Sequence, residues 1–228
     1  MKLVGERRAI AALVFTFFAI LYTVNGWQAV MPPLTPVMYA LGGVYGLAAF
    51  AVVAGYFWGR WYALGVGLFG VILFALGLWK EGAEPVILFT GGLHVAAVLS
   101  LWGNAMSQSY DGKPGWREKL HMDDSAVQRL GRSVIRAGVS LPIVLIYALA
   151  PKQPAAMAVS LAALAMAGLG IRALVRMRTW GVLAMAASGV AFAALGVEHA
   201  SPMGAFGGLL LLYATAPFAA PIARLIRG

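Results

Sequence analysis

Residues 10–30 read IAALVFTFFAILYTVNGWQAV, a stretch without a single charged side chain. The hydrocarbon core of a bilayer is about 30 Å thick, and a helix needs about 20 mainly apolar residues to cross it. The stretch therefore predicts a transmembrane helix.

The whole chain has the composition of a membrane protein. Of its 228 residues, 61% are hydrophobic and 11% are charged, whereas soluble domains average about 45–50% apolar and about 25% charged residues. This balance excludes an ordinary soluble globular domain. The chain has no cysteine, which excludes disulfides, thiolate zinc sites, cysteine-ligated iron–sulfur clusters and cysteine nucleophiles.

Seven further stretches resemble the first and are separated from one another by proline, glycine or charged residues. We predict an all-α polytopic membrane protein with about eight transmembrane helices. Six or seven spans would result if the alanine-rich or the glycine-rich stretch does not cross. The seven are residues 37–59, 61–79, 85–103, 133–150, 155–171, 179–197 and 203–223.

The basic residues predict which side each connection faces. Lys and Arg number 17 against 8 Asp and Glu, a net charge of +9. With the N-terminus inside, every basic residue except Lys80 and Lys152 falls on the inner side, as the positive-inside rule requires. We therefore predict cytoplasmic N- and C-termini in a multi-pass protein of the cell inner (cytoplasmic) membrane. The charge is a topology signal, so no nucleic-acid partner is predicted.

Two halves of the sequence resemble each other at an offset of 119 residues. The third and seventh stretches then share a tryptophan and two glycines, and both halves join their first two stretches through a Pro-x-x-Pro connection. An even number of spans per half gives both halves the same orientation, so we predict two parallel four-helix repeats. The predicted parts are a first half (1–103), a cytoplasmic loop with an interfacial helix (104–131) and a second half (132–228). The matched residues are Trp61, Gly70 and Gly77 with Trp180, Gly189 and Gly196.

The loop carries the predicted contact with anionic lipid. Trp116 lies next to Arg117 and close to Lys119, which is typical of a short helix lying on an anionic leaflet.

Three residues at and just after the end of the predicted interfacial helix, His121, Asp123 and Asp124, could ligate a metal. We favour the alternative, in which one aspartate caps a helix over 125–136 that continues into the fifth span. No metal site or cofactor is therefore predicted.

His94 is the one clearly intramembrane ionisable residue of the predicted spans, and such residues are functional candidates. It could ligate a haem or metal, but neither other histidine is predicted at its depth, and we favour a neutral imidazole bonded to its own helix near Thr90. Tyr22, Asn25 and Gln28 share one helix face by their spacing of three. With Thr90, His94 and Tyr213 they could line an outward-opening polar pocket or simply bond neighbouring helices.

Three functions are compatible with the sequence. The first is a non-catalytic integral subunit or scaffold of a larger membrane assembly, associated with lipids and with other membrane subunits or further copies of itself. The second is a transporter or channel for a small neutral or lipid-like solute, and the third is a redox subunit with His94 as ligand. No enzyme is predicted, because the predicted spans hold no Asp or Glu and no catalytic set can be placed.

Overall fold

The computed structural model describes residues 3–110, 115, 123–176, 178–219 and 221. This part of the chain is almost entirely helical and contains no β-strand. The helices with described bounds are α1 (Val4–Trp27), α2 (Thr35–Ala54), α3 (Gly59–Glu81), α4 (Pro85–Leu101), α5 (Asn104–Tyr110), α6 (Asp124–Leu149), α7 (Pro154–Val175), α8 (Trp180–Glu198) and α9 (Pro202–Thr215).

Each of the eight predicted stretches overlaps one helix of 14 or more residues. In the described residues, six helices are long and apolar enough to cross a membrane, namely α1, α2, α3, α6, α7 and α8. Helix α4 has 17 residues and meets α5 at a bend of 72°, so this pair gives a seventh span if it is counted as one. The described residues thus contain six or seven long apolar helices, as a polytopic helical membrane protein has, and the number eight stays a prediction.

The last predicted stretch, residues 203–223, is not one continuous α-helix in its described part. Helix α9 has 14 residues and is followed by a 3-10 turn, Ala216–Phe218. Pro217 lies in that turn, and proline cannot donate the backbone hydrogen bond that would continue the α-helix. The regular α-helix therefore ends before the apolar stretch does.

Asp123 begins the longest helix. Its side chain accepts a hydrogen bond from the backbone N–H of Ala126 at 2.6 Å, and α6 then runs for 26 residues without a break. The predicted helix that continues into the fifth stretch is confirmed, with Asp123 as its cap. The predicted loop over residues 104–131 is therefore helical at both of its described ends. Its first residues form α5, and its last residues form the start of α6.

The predicted lipid-contact residues lie outside the part of the chain that the structure describes. These are Trp116, Arg117 and Lys119, and His121 of the metal hypothesis falls there as well.

The helices pack as two rings of four. In the first half α1 packs on α2, α2 on α3, α3 on α4 and α4 on α1, and α6, α7, α8 and α9 follow the same order in the second half. The halves meet mainly where α3 packs on α6. There Gly65 and Gly138 bring the two backbones together: a Cβ on Gly65 would lie 2.8 Å from the Cα of Gly138.

Arginine side chains hold the C-terminal ends of three helices at one end of the bundle, here called the basic end. Arg7 donates to the carbonyls of Leu99 and Ser100 at 2.9 and 3.0 Å, and Arg60 donates to that of Leu101 at 3.0 Å, all in the last turn of α4. Positive charge at a helix C-terminus is favourable, and these carbonyls have no partner within the helix. The ends of α2 and α9 are bonded likewise, by Arg8 to Val53 and by Arg136 to Tyr213.

Candidate functional site

His94 lies buried in the middle of the first ring, with 5% of its surface exposed. Its Nδ1 is 2.8 Å from the carbonyl oxygen of Thr90, one turn earlier on α4. Its Nε2 is 2.8 Å from the hydroxyl oxygen of Tyr45 on α2. His94 thus bonds to its own helix at Thr90, as predicted, and the partner there is the backbone carbonyl.

The two partners determine the tautomer of the neutral imidazole. The Thr90 carbonyl can only accept, so Nδ1 carries the proton and donates it. Nε2 then has a free lone pair, and the Tyr45 hydroxyl donates to it. Both ring nitrogens of His94 are engaged, which is how a polar group is tolerated in an apolar interior.

Aromatic side chains from α1 and α2 surround this pair. The Phe18 ring lies 4.0 Å from the His94 ring, centroid to centroid, at an angle of 31°. Tyr22 packs against Tyr45 with centroids 5.4 Å apart. Sequence analysis missed Phe18 and Tyr45; the available signal was a tyrosine in the middle of an apolar stretch, whose hydroxyl needs a partner.

Gly70 of α3 makes the space that His94 occupies. A Cβ on Gly70 would overlap the imidazole of His94. In the opposite direction, the side chain of Phe74 on α3 occupies the space that a Cβ on Gly91 of α4 would need. Rings on α3 and α4 thus sit directly against glycines of the facing helix.

The corresponding helix pair of the second half packs differently. A Cβ on Gly189 of α8 would lie 3.0 Å from the backbone oxygen of Gly208, and one on Gly196 would collide with the α9 backbone at Gly204 and Ala205. There the glycines bring two helix backbones together. In the first half the glycines at the aligned positions face side chains and not backbone. The side chain that packs against Gly70 is the polar imidazole of His94.

A cavity of about 180 Å³ lies beside His94, between α1, α3 and α4. Tyr22, Thr90 and His94 all line it, together with apolar side chains such as Leu73. Its volume is comparable with that of the ~150 Å³ cavities that hold a benzene-sized molecule. Three of the six residues predicted to form a polar pocket therefore line one cavity.

The other predicted pocket residues lie elsewhere. Asn25 donates to the Leu21 carbonyl at 2.7 Å and lines a separate small cavity near Met38. Gln28 follows the end of α1 as an exposed residue, because the helix stops at Trp27. Tyr213 belongs to the second half, where the Arg136 guanidinium lies 3.8 Å above its ring.

The aspartates of the metal hypothesis act at the start of α6. The Ser125 hydroxyl donates to the Asp123 carboxylate at 2.9 Å. The Ala126 N–H and this hydroxyl both favour the charged form and lower the pKa of Asp123 below its ordinary value. Among the described residues, no three His, Cys, Asp or Glu side chains lie together as metal ligands would.

Comparisons with known proteins bring no family to this chain, so its function is inferred from its own geometry. No protein-family model matches the sequence, and neither the curated proteins nor the solved structures compared with it gave a match.

Proposed function

We propose that this chain is a non-catalytic integral subunit or scaffold of a larger membrane protein assembly. The observation that carries the proposal is that the buried histidine and several buried serines form their hydrogen bonds inside the protein. Both nitrogens of His94 are bonded inside the protein. The buried serines of α6, α7 and α8 donate to backbone carbonyls in the same way, namely Ser133, Ser140, Ser160 and Ser188.

Helix α1 offers a surface for a partner helix. Its outward stripe repeats at spacings of three and four residues, the period of two helices that pack side by side. Every member of this stripe is a large apolar residue. The outward stripe of α8 with the same spacing, by contrast, alternates large side chains with alanine. We call this stripe the α1 seam: Ile10, Leu13, Phe17, Ile20, Val24 and Trp27.

Small residues flank the α1 seam. Ala9, Thr16 and Thr23 are exposed at intervals of seven residues, and small residues let two helices approach closely in a bilayer.

One hydroxyl beside the α1 seam lacks a partner in the described structure. Thr23 and Thr90 donate to carbonyls one turn earlier on their own helices, at 2.7 and 2.8 Å. The exposed Thr16 hydroxyl makes no hydrogen bond within the described part of the chain. An unbonded polar group facing hydrocarbon is costly, so a partner helix that accepts this hydrogen bond would be stabilised there.

The experiment compares the size of the protein in native membranes with that of a seam variant. Extraction with a styrene–maleic acid polymer should yield the chain in a complex of fixed stoichiometry, measured by mass photometry. Leu13→Ala combined with Ile20→Ala should release it. The matched control is Leu183→Ala with Val190→Ala, two equally exposed residues at the same spacing on α8.

The mass also identifies the partner class. A complex with a second protein supports the proposed subunit role, and a multiple of the chain's own mass would make the α1 seam a self-association surface. Wild-type protein extracted as a lone chain would contradict the proposal.

A second candidate is a transporter or channel for a small neutral solute, and the cavity beside His94 favours it. In proteoliposomes under a glycerol gradient, this candidate predicts faster swelling than in protein-free liposomes. Leu73→Trp, which places a larger side chain at the cavity, should remove the difference, whereas Leu76→Trp, at a similarly exposed leucine of the same helix that does not line the cavity, should not. Swelling equal to that of protein-free liposomes would contradict it. The geometry does not favour the redox role, because ligation of a haem or metal through Nε2 of His94 would break the bond to Tyr45.

A further inference from the structure

A groove of about 380 Å³ opens between the two halves at the basic end. Helix α3 contributes Trp58 and Tyr62 at its start, α6 contributes Leu141, and α7 contributes Gly168. We call it the interhelix groove. Its volume falls within the range of about 300–1,000 Å³ that is common for ligand sites, and its walls are mainly apolar.

Two arginines lie at one end of the interhelix groove. Arg172 and Arg176 are one turn apart at the end of α7, and both line it. They also line a second, smaller groove of about 190 Å³ on the other side of α7, which adds Arg178 and Trp180. No acidic side chain is among the described residues that line either groove.

These two arginines differ from the four that bond helix ends. Arg7, Arg8, Arg60 and Arg136 donate to carbonyls at helix ends. Arg172 and Arg176 are exposed, and their guanidinium groups make no hydrogen bond or ion pair within the described residues. Two guanidiniums from residues one turn apart, with no partner among the described residues, match a phosphate, which accepts several charge-assisted hydrogen bonds at once.

The apolar part of the interhelix groove suits an acyl chain. From Arg176 back to Gly168 is eight residues of α7, or about 12 Å along the helix. A Cβ on Gly168 would meet no atom within 4 Å, so the groove is open at this depth. Trp58 marks the polar end as the level of the membrane interface, where tryptophan is enriched.

We propose that the interhelix groove binds one anionic phospholipid of the surrounding membrane, with its phosphate between Arg172 and Arg176 and an acyl chain along Gly168 and Leu141. Basic pockets between transmembrane helices on the cytoplasmic side are a known way of holding anionic headgroups. The lipid would join the halves beside the α3–α6 contact, where α2, α3, α6 and α7 all border the groove.

The test counts bound lipids by native mass spectrometry of the full chain in a neutral detergent. Phosphatidylglycerol should bind with a stoichiometry of one, and phosphatidylcholine with the same acyl chains should bind at least about tenfold more weakly. Arg172→Gln with Arg176→Gln should weaken phosphatidylglycerol binding by a similar factor. The control, Arg129→Gln with Arg132→Gln, changes two basic residues of α6 that line neither groove and should leave binding unchanged.

A second variant tests the acyl-chain part. Gly168→Leu, at a glycine whose Cβ would meet no atom within 4 Å, places a side chain in the interhelix groove and should lower phosphatidylglycerol binding, whereas Gly92→Leu, at an equally open glycine of α4, should not. Glycerophosphate, which has the phosphate without acyl chains, should not bind detectably. Equal retention of both phospholipids, wild-type binding by the double arginine variant, or binding of glycerophosphate as tight as that of the lipid would overturn the proposal.

Discussion

The hydroxyl of Tyr45 on α2 donates to Nε2 of His94 on α4 across the first ring, at 2.8 Å. The two helices have few direct backbone contacts, since α2 packs on α1 and α3 while α4 packs on α3 and α1. This side-chain bond therefore links opposite helices of the ring through its centre.

Tyr45→Phe should lower the free energy of unfolding by about 1 to 2 kcal/mol. The variant keeps the ring and its packing but leaves Nε2 of the buried His94 without a partner. Thermal unfolding in detergent measures the change. Tyr39→Phe is the control, because Tyr39 is an exposed tyrosine of the same helix with no hydrogen bond among the described residues. Equal melting temperatures for the two variants would show that the bond contributes nothing to stability.

Gly70→Ala should destabilise the protein by about 1 to 3 kcal/mol, the usual range for overpacking a core. The new methyl group would overlap the His94 imidazole. In a double-mutant cycle with His94→Ala the cost should largely disappear, because the ring that clashes is gone. Gly43→Ala, at a glycine of α2 with open space around its Cα, should be close to neutral. A cost of Gly70→Ala that persists beside His94→Ala would contradict the proposed role of this glycine.

Arg7→Gln should destabilise the basic end of the first ring by about 1.5 to 3 kcal/mol, the range for a hydrogen bond to a charged group. The change removes a guanidinium that bonds the last carbonyls of α4. Unfolding by sodium dodecyl sulfate provides the measurement. Arg132→Gln should have little effect, since Arg132 is exposed and bonds nothing within the described residues. An equal loss of stability in both variants would show that the positive charge, and not the hydrogen bonds to the carbonyls, stabilises the protein.

The cap of α6 should depend on pH. Hydrogen bonds from Ala126 and Ser125 lower the pKa of Asp123, so its contribution to stability is present above the unfolded-state pKa of about 3.9 and is lost as the pH falls through the lower folded value. In a carbon-13 NMR titration of the Asp123 carboxyl, Ser125→Ala should raise the midpoint toward the ordinary value. A midpoint that is the same in both proteins would contradict a role for the Ser125 hydroxyl.

Hydropathy predicted much of this fold because each long helix is an apolar run bounded by proline, glycine or charge. The start of α6 was also predictable, since a capping aspartate is a local signal. The end of α9 was not predicted, because Pro217 lies within an apolar stretch that hydropathy treats as uniform. The parallel repeat stays a prediction: the packing order within the two halves agrees with it, whereas α3 against α6 joins non-equivalent helices.

The candidate site was predictable only along one helix at a time. Thr90 and His94 are one turn apart, so their proximity follows from helix geometry. The contact with Tyr45 depends on which helices become neighbours, and a single sequence does not contain that information. Asn25 and Gln28 share the spacing of Tyr22, but α1 ends at Trp27, and a face defined by spacing stops where its helix stops.

The bonds of Arg7 also impose an order on assembly in the membrane. Arg7 lies at the start of the first helix, and its carbonyl partners at Leu99 and Ser100 are synthesised more than 90 residues later. The ring of the first half therefore closes only after α4 has entered the bilayer, and until then the side of α1 that will meet α4 is open to lipid or to an insertion factor. A chain released before that point would carry three inserted helices without their closing contact, which makes α4 the step that commits the first half to its final arrangement.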